Sequence, residues 1–420
     1  MRKYLIVILL LMSMCVSQAQ STGDWQIIDT LWLREMVGSN SALTTASISP
    51  DASKLVWANE YDDAKTEICM YIIADESTVC SEPHNVTRIE SLANWSADSR
   101  YIVFTEVLFP FFLDTDIHIF DSETLEFQNI TRDEARLIYD EGAIVDFVPR
   151  WHPVTGDIYF LRTEDSGDGV YSLEWMHVPF SEGEAGDIEQ VLDLVPLRNF
   201  DSQVTVYNVP PVSLDGGISF SPDGNTVAFI ERDIAHDSPD IVRFLDVESG
   251  EVLSTMRAEN FVFLGMPLDL METMTVGSLD WVDNESVILT SVDSLNPDAV
   301  NMVGVFQLSI DGERRALIDF SDRTYEDDLR NMPYNVPFSS VLIAETDQFL
   351  YFNLAESVSP EPAFRVSILS VNNPDAGVAH LSLEIDPDAV HFPFNRASIG
   401  RDGNVVRVVF ADHLITLSAE

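Results

Sequence analysis

The chain has 420 residues, with 23 Lys and Arg against 70 Asp and Glu, and a formal net charge of −47 at pH 7. Nucleic acids and anionic membranes bind proteins through clustered Lys and Arg, so this charge excludes both as partners. Grouped carboxylates at Asp62-Asp63, Asp114-Thr115-Asp116 and Glu164–Gly169 offer oxygen ligands for weak Ca²⁺ binding. None has the spacing of an EF-hand loop, so we expect no tightly bound metal or other cofactor.

Residues 1–20 have the organisation of a secretory signal peptide. Arg2 and Lys3 precede an apolar run from Tyr4 to Met12, and Ser17-Gln18-Ala19 has the pattern of a signal peptidase site. The run is shorter than the roughly 20 apolar residues that cross a bilayer, and no later segment approaches that length. The sequence therefore predicts an exported protein, periplasmic or extracellular, without a transmembrane segment.

The chain has three cysteines. Cys15 raises the alternative of a lipid anchor, but the bulky Met14 before it favours ordinary cleavage near Ala19. A tight turn at Ala74-Asp75 would place the other two, Cys69 and Cys80, opposite each other on paired strands. Exported proteins meet an oxidising compartment, so we predict a disulfide between them; the alternative is two buried thiols.

The segment Ile218–Ile230 (ISFSPDGNTVAFI) is the clearest repeat unit. Alternating apolar residues flank Ser221–Gly224, where Pro presets φ, Asp can bond the backbone two residues on, and Gly accepts a positive φ. This pattern predicts a β-hairpin. Degenerate copies recur, and their aligned apolar positions are 48, 95, 151, 220, 281, 343 and 399, on average about 58 residues apart.

A spacing of this length accommodates two hairpins and a loop, so each copy predicts a four-stranded antiparallel sheet. Seven such sheets in series predict an all-β, seven-bladed β-propeller formed by residues 21–420 as a single domain. Six blades are the alternative, if the degenerate segment 340–371 is an insertion. The last repeat ends after three strands, so we expect the N-terminal strand Trp25–Leu33 to close the ring as its outer strand. One short helix is predicted at Thr131–Tyr139.

Aspartates recur in the turns and could be interpreted as a ring of carboxylate ligands. Their position after a strand and before a small residue is better explained by hydrogen bonding within each turn. The residues to which we assign this structural role are Pro50, Asp51, Asp98, Pro222, Asp223, Gly224, Asp402 and Gly403. His152 occupies the turn position of Ser221 and is predicted to be structural as well.

Tryptophans recur at one equivalent repeat position, at Trp95, Trp151 and Trp281. They predict packing between blades rather than a stacking platform for sugars.

The SPDG turn at Ser221–Gly224 resembles the WD40-like (PD40) repeat of the TolB-like propeller family. Looser versions are SPDA at 49–52, SADS at 96–99, HPVTG at 152–156 and GRDG at 400–403. The resemblance implies the propeller fold. It leaves function open, because similar repeats serve as binding scaffolds, as substrate gates before peptidase domains and in a few polysaccharide lyases.

Motifs for chemistry are absent from the sequence: there is no Gly-x-Ser-x-Gly, His-Glu-x-x-His or Cys-x-x-Cys. The favoured hypothesis is a monomeric, non-catalytic scaffold that binds a protein or glycan partner through rim loops. The insertions Ser181–Val212 and Glu259–Gly277 are rich in apolar residues; they either fold over a neighbouring blade or form a contact patch. The alternative function is a secreted carbohydrate-active enzyme, a polysaccharide lyase or hydrolase, with a site dispersed over several blades.

Overall fold

The computed structural model describes residues 25–37, 41–61, 65–86, 89, 91–106, 115–133, 144–164, 173–194, 218–233, 238–257, 274–293, 301–319, 337–343, 346–355, 363–374, 378–383, 397–410 and 412–419. Over these residues the protein is all-β. A short 3-10 turn lies at Leu33–Glu35. Seven antiparallel sheets form a seven-bladed β-propeller. Among the described residues, no helix is long and apolar enough to span a bilayer.

The N-terminal strand β1 covers Trp25–Trp32. Blade 1 then contains β2 to β5, at Ser41–Ile48, Lys54–Tyr61, Lys65–Ile72 and Ser77–Cys80. Blade 2 contains β6 to β8, at Tyr101–Thr105, Ile117–Asp121 and Glu126–Asn129. Blade 3 contains β9, β10, β11 and β14, interrupted by the small hairpin β12–β13; these six strands are Ile144–Trp151, Ile158–Glu164, Glu174–Val178, Phe180–Ser181, Glu184–Ala185 and Glu189–Asp193.

The second half of the ring is regular. Blade 4 contains β15 to β18, at Ile218–Phe220, Thr226–Asp233, Ser238–Asp246 and Val252–Arg257. Blade 5 contains β19 to β22, at Met274–Trp281, Ser286–Asp293, Asn301–Ser309 and Arg314–Asp319. Blade 6 contains β23 to β26, at Pro337–Leu342, Gln348–Ala355, Ala363–Ser370 and Val378–Leu383. Blade 7 contains β27 to β29, at Ser398–Asp402, Val405–Phe410 and His413–Ala419, together with β1.

The first strands of neighbouring blades contact one another, with β15 touching both β9 and β19, so these strands lie nearest the centre of the ring. In an antiparallel blade, the first and third connections lie at one end and the second at the other. We call these ends the turn end and the loop end. The SPDG-type turns lie at the turn end, and the connections between blades start from the loop end.

The N-terminal strand closes the ring, as predicted. Strand β1 pairs with β29 from Trp25 opposite Ala419 to Trp32 opposite His413, and is thus the outer strand of blade 7. At the inner side of the same seam, a Cβ on Gly400 would lie 2.0 Å from the Ser49 carbonyl oxygen. Only glycine allows this approach of two backbones.

The degenerate sixth repeat forms a complete sheet, β23 to β26, so seven blades are correct and six are not. Blade 2 differs from the prediction of four strands, because over the described residues its inner strand is reduced to two isolated bridges, Trp95 with Ile102 and Ile89 with Glu106. The Trp95 amide donates locally to the Ala93 carbonyl, at 3.1 Å, and this bond interrupts the ladder between the two bridges. Most of the predicted helix at 131–139 lies outside the described residues.

Tryptophan side chains connect consecutive blades. The Trp95 indole donates to Ser47 Oγ at 2.9 Å, the Trp151 indole to the Asn94 carbonyl at 3.0 Å, and the Trp281 indole to the Ser219 carbonyl at 2.9 Å. Trp95 and Trp281 are buried in apolar clusters formed by two blades each. The repeated tryptophans therefore pack between blades and present no sugar-stacking platform.

Candidate functional site

The predicted turn residues lie together at the turn end. In the clean copy, Ser221 Oγ donates to Asp223 Oδ1 at 2.7 Å and accepts from the Thr226 amide at 3.0 Å. The Asn225 amide donates to the same carboxylate, and the Ser221 hydroxyl bond is the main cause of the lowered pKa of Asp223. The Gly224 φ of +76° is the left-handed value that the turn requires. Asp51 and Asp98 accept the equivalent bonds from Ser49 and Ser96.

Neighbouring turns also bond to one another. The Asp51 amide donates to Ser99 Oγ at 3.1 Å, and the Asp223 amide donates to Asn284 Oδ1 at 3.0 Å. His152 is buried, and its Nε2 lies 3.0 Å from the Gly224 carbonyl oxygen. Through these bonds, the turn residues connect neighbouring blades and have a structural role. Pro50 and Pro222 are exposed at the surface.

The seventh turn differs from the others. Asp402 is the last residue of β27 and lies opposite Val405, so the hairpin closes through Gly403 and Asn404. Gly403 has a φ of +59°. Gly400 stands where three other copies have Ser49, Ser96 and Ser221, so this turn has no hydroxyl to bond the aspartate.

Cys69 and Cys80 lie directly opposite each other on β4 and β5. Their sulfur atoms are joined, at 2.02 Å, with the Cα atoms 4.0 Å apart. Cys69 is buried, whereas Cys80 is exposed at the outer edge of blade 1. The Glu67 carboxylate lies on the same face beside them.

A row of charged side chains crosses blade 3 at its loop end. Asp146 on β9 lies opposite Arg162 on β10, Arg162 lies opposite Glu174 on β11, and Glu174 lies opposite Asp193 on β14. We call these four residues the charged row. It runs from the inner to the outer strand and carries three acidic side chains for one basic one.

The inner half of the charged row is a buried ion pair. Arg162 Nε donates to Asp146 Oδ1 at 2.7 Å and its Nη2 donates to Oδ2 at 2.8 Å. The Asp146 side chain is 1% exposed. Burial raises its pKa to about 6, against the lowering effects of the Arg162 guanidinium and of a hydrogen bond from Thr131. Since both carboxylate oxygens are occupied, Asp146 is not free to act as a general acid or base.

The outer half of the charged row is acidic. Partial burial, and then the charges of Asp193 and Glu164, raise the pKa of Glu174. Like charges directly opposite on adjacent strands repel. Asp193 and Glu164 are exposed, so a ligand can reach this end of the row.

Two histidines lie at the loop end of blade 2. His118 is buried, and its Nε2 is 3.3 Å from Glu106 Oε1. Burial, followed by the proximity of His118, lowers the pKa of His84. The described residues of this region contain no group of three side chains placed to hold a metal ion.

Sequence patterns did not predict the charged row or His118, although the carboxylates of the loop that starts at Glu164 suggested a Ca²⁺ ligand set. Charged residues at the ends of otherwise apolar strands were the available signal. Of the predicted Ca²⁺ loops, only Thr115, Asp116 and Glu164 lie among the described residues. The apolar insertion that starts at Ser181 begins as the hairpin β12–β13, whose Phe180 packs edge-on against Tyr101 at 5.0 Å, so this part folds over blade 2. Residues 186–194 continue into β14, the outer strand of blade 3, whereas residues 195–212 and 259–273 of the two insertions lie outside the described residues.

No protein-family model and no curated protein matches the sequence. Solved structures match the fold. The RRP9 WD40 repeats align over 94% of this chain and 100% of their own, at 10% identity and a TM-score of 0.51.

A puromycin hydrolase aligns over 89% of this chain and 50% of its own, at 13% identity and a TM-score of 0.50. A puromycin-hydrolysing peptidase from Mycobacterium tuberculosis aligns over 92% and 52%, also at 13% identity and a TM-score of 0.50. The chain thus corresponds to about half the length of each hydrolase. These likenesses show the β-propeller fold.

Proposed function

We propose that this protein is an exported, monomeric, non-catalytic propeller that binds a basic segment of a partner protein at the loop end of blade 3. The observation that carries the proposal is the acidic excess of the charged row, where Glu174 faces Asp193 across adjacent strands. Export is supported by the signal-peptide pattern of residues 1–20.

A basic ligand would relieve a repulsion that is present in the free protein. The pKa of Glu174 is raised, so its ionised form is disfavoured where it stands. Lys or Arg side chains next to Glu174 and Asp193 would stabilise both carboxylates. The net charge of −47 would also attract a cationic partner from a distance, with an effect that weakens as salt is added.

Two observations favour this function over the carbohydrate-active enzyme and over glycan binding. Asp146, the carboxyl with a pKa near neutrality, has both oxygens bonded to Arg162. Trp175, the aromatic neighbour of Glu174, is buried among apolar residues of blades 3 and 4, so it offers no exposed ring to a sugar.

The test measures binding of a Lys-rich and Arg-rich peptide to the mature protein by calorimetry at two salt concentrations. The double variant Glu174→Gln/Asp193→Asn should weaken binding about 10-fold, which is about 1.4 kcal/mol. The matched control is Glu182→Gln/Glu184→Gln, which removes two exposed charges from the hairpin β12–β13 of the same blade. It should change the affinity by less than about 2-fold.

An equal loss of affinity in both double variants would show that peptide binding depends only on the net charge of the protein, and would contradict the proposal. Turnover of a polysaccharide substrate that one substitution in the charged row abolishes would establish the enzyme instead. Light scattering should give the molar mass of a monomer for the mature protein. Mass analysis of the N-terminus of the exported protein should show cleavage near residue 19.

A further inference from the structure

Three potential metal ligands lie together at the outer edge of blade 1, far in sequence from the charged row. The Glu67 carboxylate and the sulfur atoms of Cys69 and Cys80 all lie within 4.8 Å of one another. Glu67 and Cys69 share one face of β4 because they are two residues apart, and Cys80 lies opposite Cys69 on β5. Cys80 is exposed, so a reductant can reach the disulfide.

The spacing fits a tetrahedral zinc ion. Zinc bonds to sulfur at about 2.3 Å and to carboxylate oxygen at about 2.1 Å, so at a tetrahedral angle the two ligand atoms lie about 3.6 Å apart. Glu67 Oε1 and Cys69 Sγ are 3.6 Å apart. Two zinc-bound sulfurs lie about 3.8 Å apart. Cysteines on facing strands with Cα atoms 4.0 Å apart can reach that spacing once their bond is reduced.

Neighbouring side chains already orient the carboxylate. Asn59 lies opposite Glu67, and its Nδ2 donates to Glu67 Oε1 at 2.8 Å. The same Nδ2 lies 3.1 Å from Cys69 Sγ. Such outer-shell partners hold ligands in position in protein metal sites.

We propose that reduction of the Cys69–Cys80 disulfide creates a Zn²⁺ site with Glu67, Cys69 and Cys80 as ligands and a fourth position open to water. A dithiol reductant transfers two electrons and two protons to the disulfide and is itself oxidised to a disulfide. Zn²⁺ then displaces the two thiol protons, because the thiolate is the form that binds. This site does not depend on the proposed binding function.

The test starts from the mature protein, unreduced or reduced with dithiothreitol that is then removed under anaerobic conditions. Titration of the denatured, unreduced chain with a thiol reagent should find no free thiol. Competition with a chromogenic chelator should show one tightly bound Zn²⁺ per reduced chain and none per unreduced chain. Co²⁺ in place of Zn²⁺ should give the near-ultraviolet absorption of a cobalt–thiolate bond.

Variants separate this site from general binding to an acidic surface. Glu67→Gln, which leaves the disulfide intact, should weaken Zn²⁺ binding to the reduced chain about 10-fold or more. Glu82→Gln, an exposed charge just beyond β5, should leave it unchanged. Cys80→Ser should abolish the cobalt–thiolate band.

Four results would overturn the proposal: free thiols in the unreduced chain, equal Zn²⁺ uptake before and after reduction, a Glu67→Gln variant that binds as the wild type does, or loss of the β-sheet circular dichroism on reduction.

Discussion

Acidic side chains have opposite pKa shifts at the two ends of blade 3 and its neighbours. At the turn end, the Ser221 hydroxyl and nearby amides donate to Asp223 and lower its pKa. At the loop end, burial raises the pKa of Asp146 to about 6, and burial together with Asp193 raises that of Glu174. Hydrogen bonds thus favour the ionised form of the carboxylate at the turn end, whereas burial and neighbouring acids disfavour the ionised form at the loop end.

The largest effect is expected from Asp146→Ala, which leaves the Arg162 guanidinium buried without its partner. Removing one member of a buried ion pair costs about 3–5 kcal/mol, so the free energy of unfolding should fall by about that amount in urea denaturation. Asp193→Ala removes the exposed acid at the other end of the row and is the control. A loss of less than 1 kcal/mol for Asp146→Ala would mean that the pair is not a structural element.

Stability should also depend on pH through Asp146. Its folded pKa of about 6 lies above the ordinary value of 3.8, so the folded chain holds a proton that the unfolded chain releases between about pH 4 and pH 6. Its contribution to stability is therefore full below pH 4 and is lost as the pH rises through 6, by about 3 kcal/mol.

Because many carboxyls titrate in this chain, the measured quantity is the difference in unfolding free energy between the wild type and Asp146→Asn. A difference that stays constant from pH 3.5 to pH 7.5 would show that folding does not raise the pKa of Asp146.

At the turn end, Gly400→Ala tests the seam between blades 7 and 1. The added Cβ would lie 2.0 Å from the Ser49 carbonyl oxygen, so the backbones must separate. We expect a loss of about 1–3 kcal/mol in urea denaturation. Gly186→Ala, whose added Cβ would meet its nearest atoms at 3.4 Å, is the matched control and should have little effect. Equal stabilities of the two variants would show that the seam is looser than described.

The smallest effect is expected from Ser221→Ala. The hydroxyl is buried and bonds both the Asp223 carboxylate and the Thr226 amide, so its removal should cost about 1 kcal/mol. The cost should be greatest above the ordinary pKa of Asp223, where the carboxylate is ionised. Ser181→Ala, an exposed serine on the hairpin β12–β13, is the control for thermal denaturation. A variant as stable as the wild type would contradict the structural assignment of the turn.

Local rules account for the parts of this fold that the sequence predicts correctly. Pro222, Asp223 and Gly224 specify a turn by their own backbone preferences, and alternating apolar residues such as Val227 and Phe229 specify the strands beside it. Strand β1 was predicted as the closing strand because the seventh repeat lacks one. The inner strand of blade 2 is predicted in full, but its described residues form only two isolated bridges, because a pattern of apolar residues does not show the local bond from Trp95 to Ala93.

Spacing and alternation along the chain were enough to predict the repeat and the facing positions of Cys69 and Cys80, and they favoured seven blades with six as the alternative. Only the tertiary structure decided the charged row and the packing of Glu67 against the cysteines. Asp146, Arg162, Glu174 and Asp193 lie on four different strands, and their alignment depends on the register of three strand pairs. A shift of one residue in any of these pairs would send a side chain to the opposite face, and no local pattern in the chain specifies that register across a whole blade.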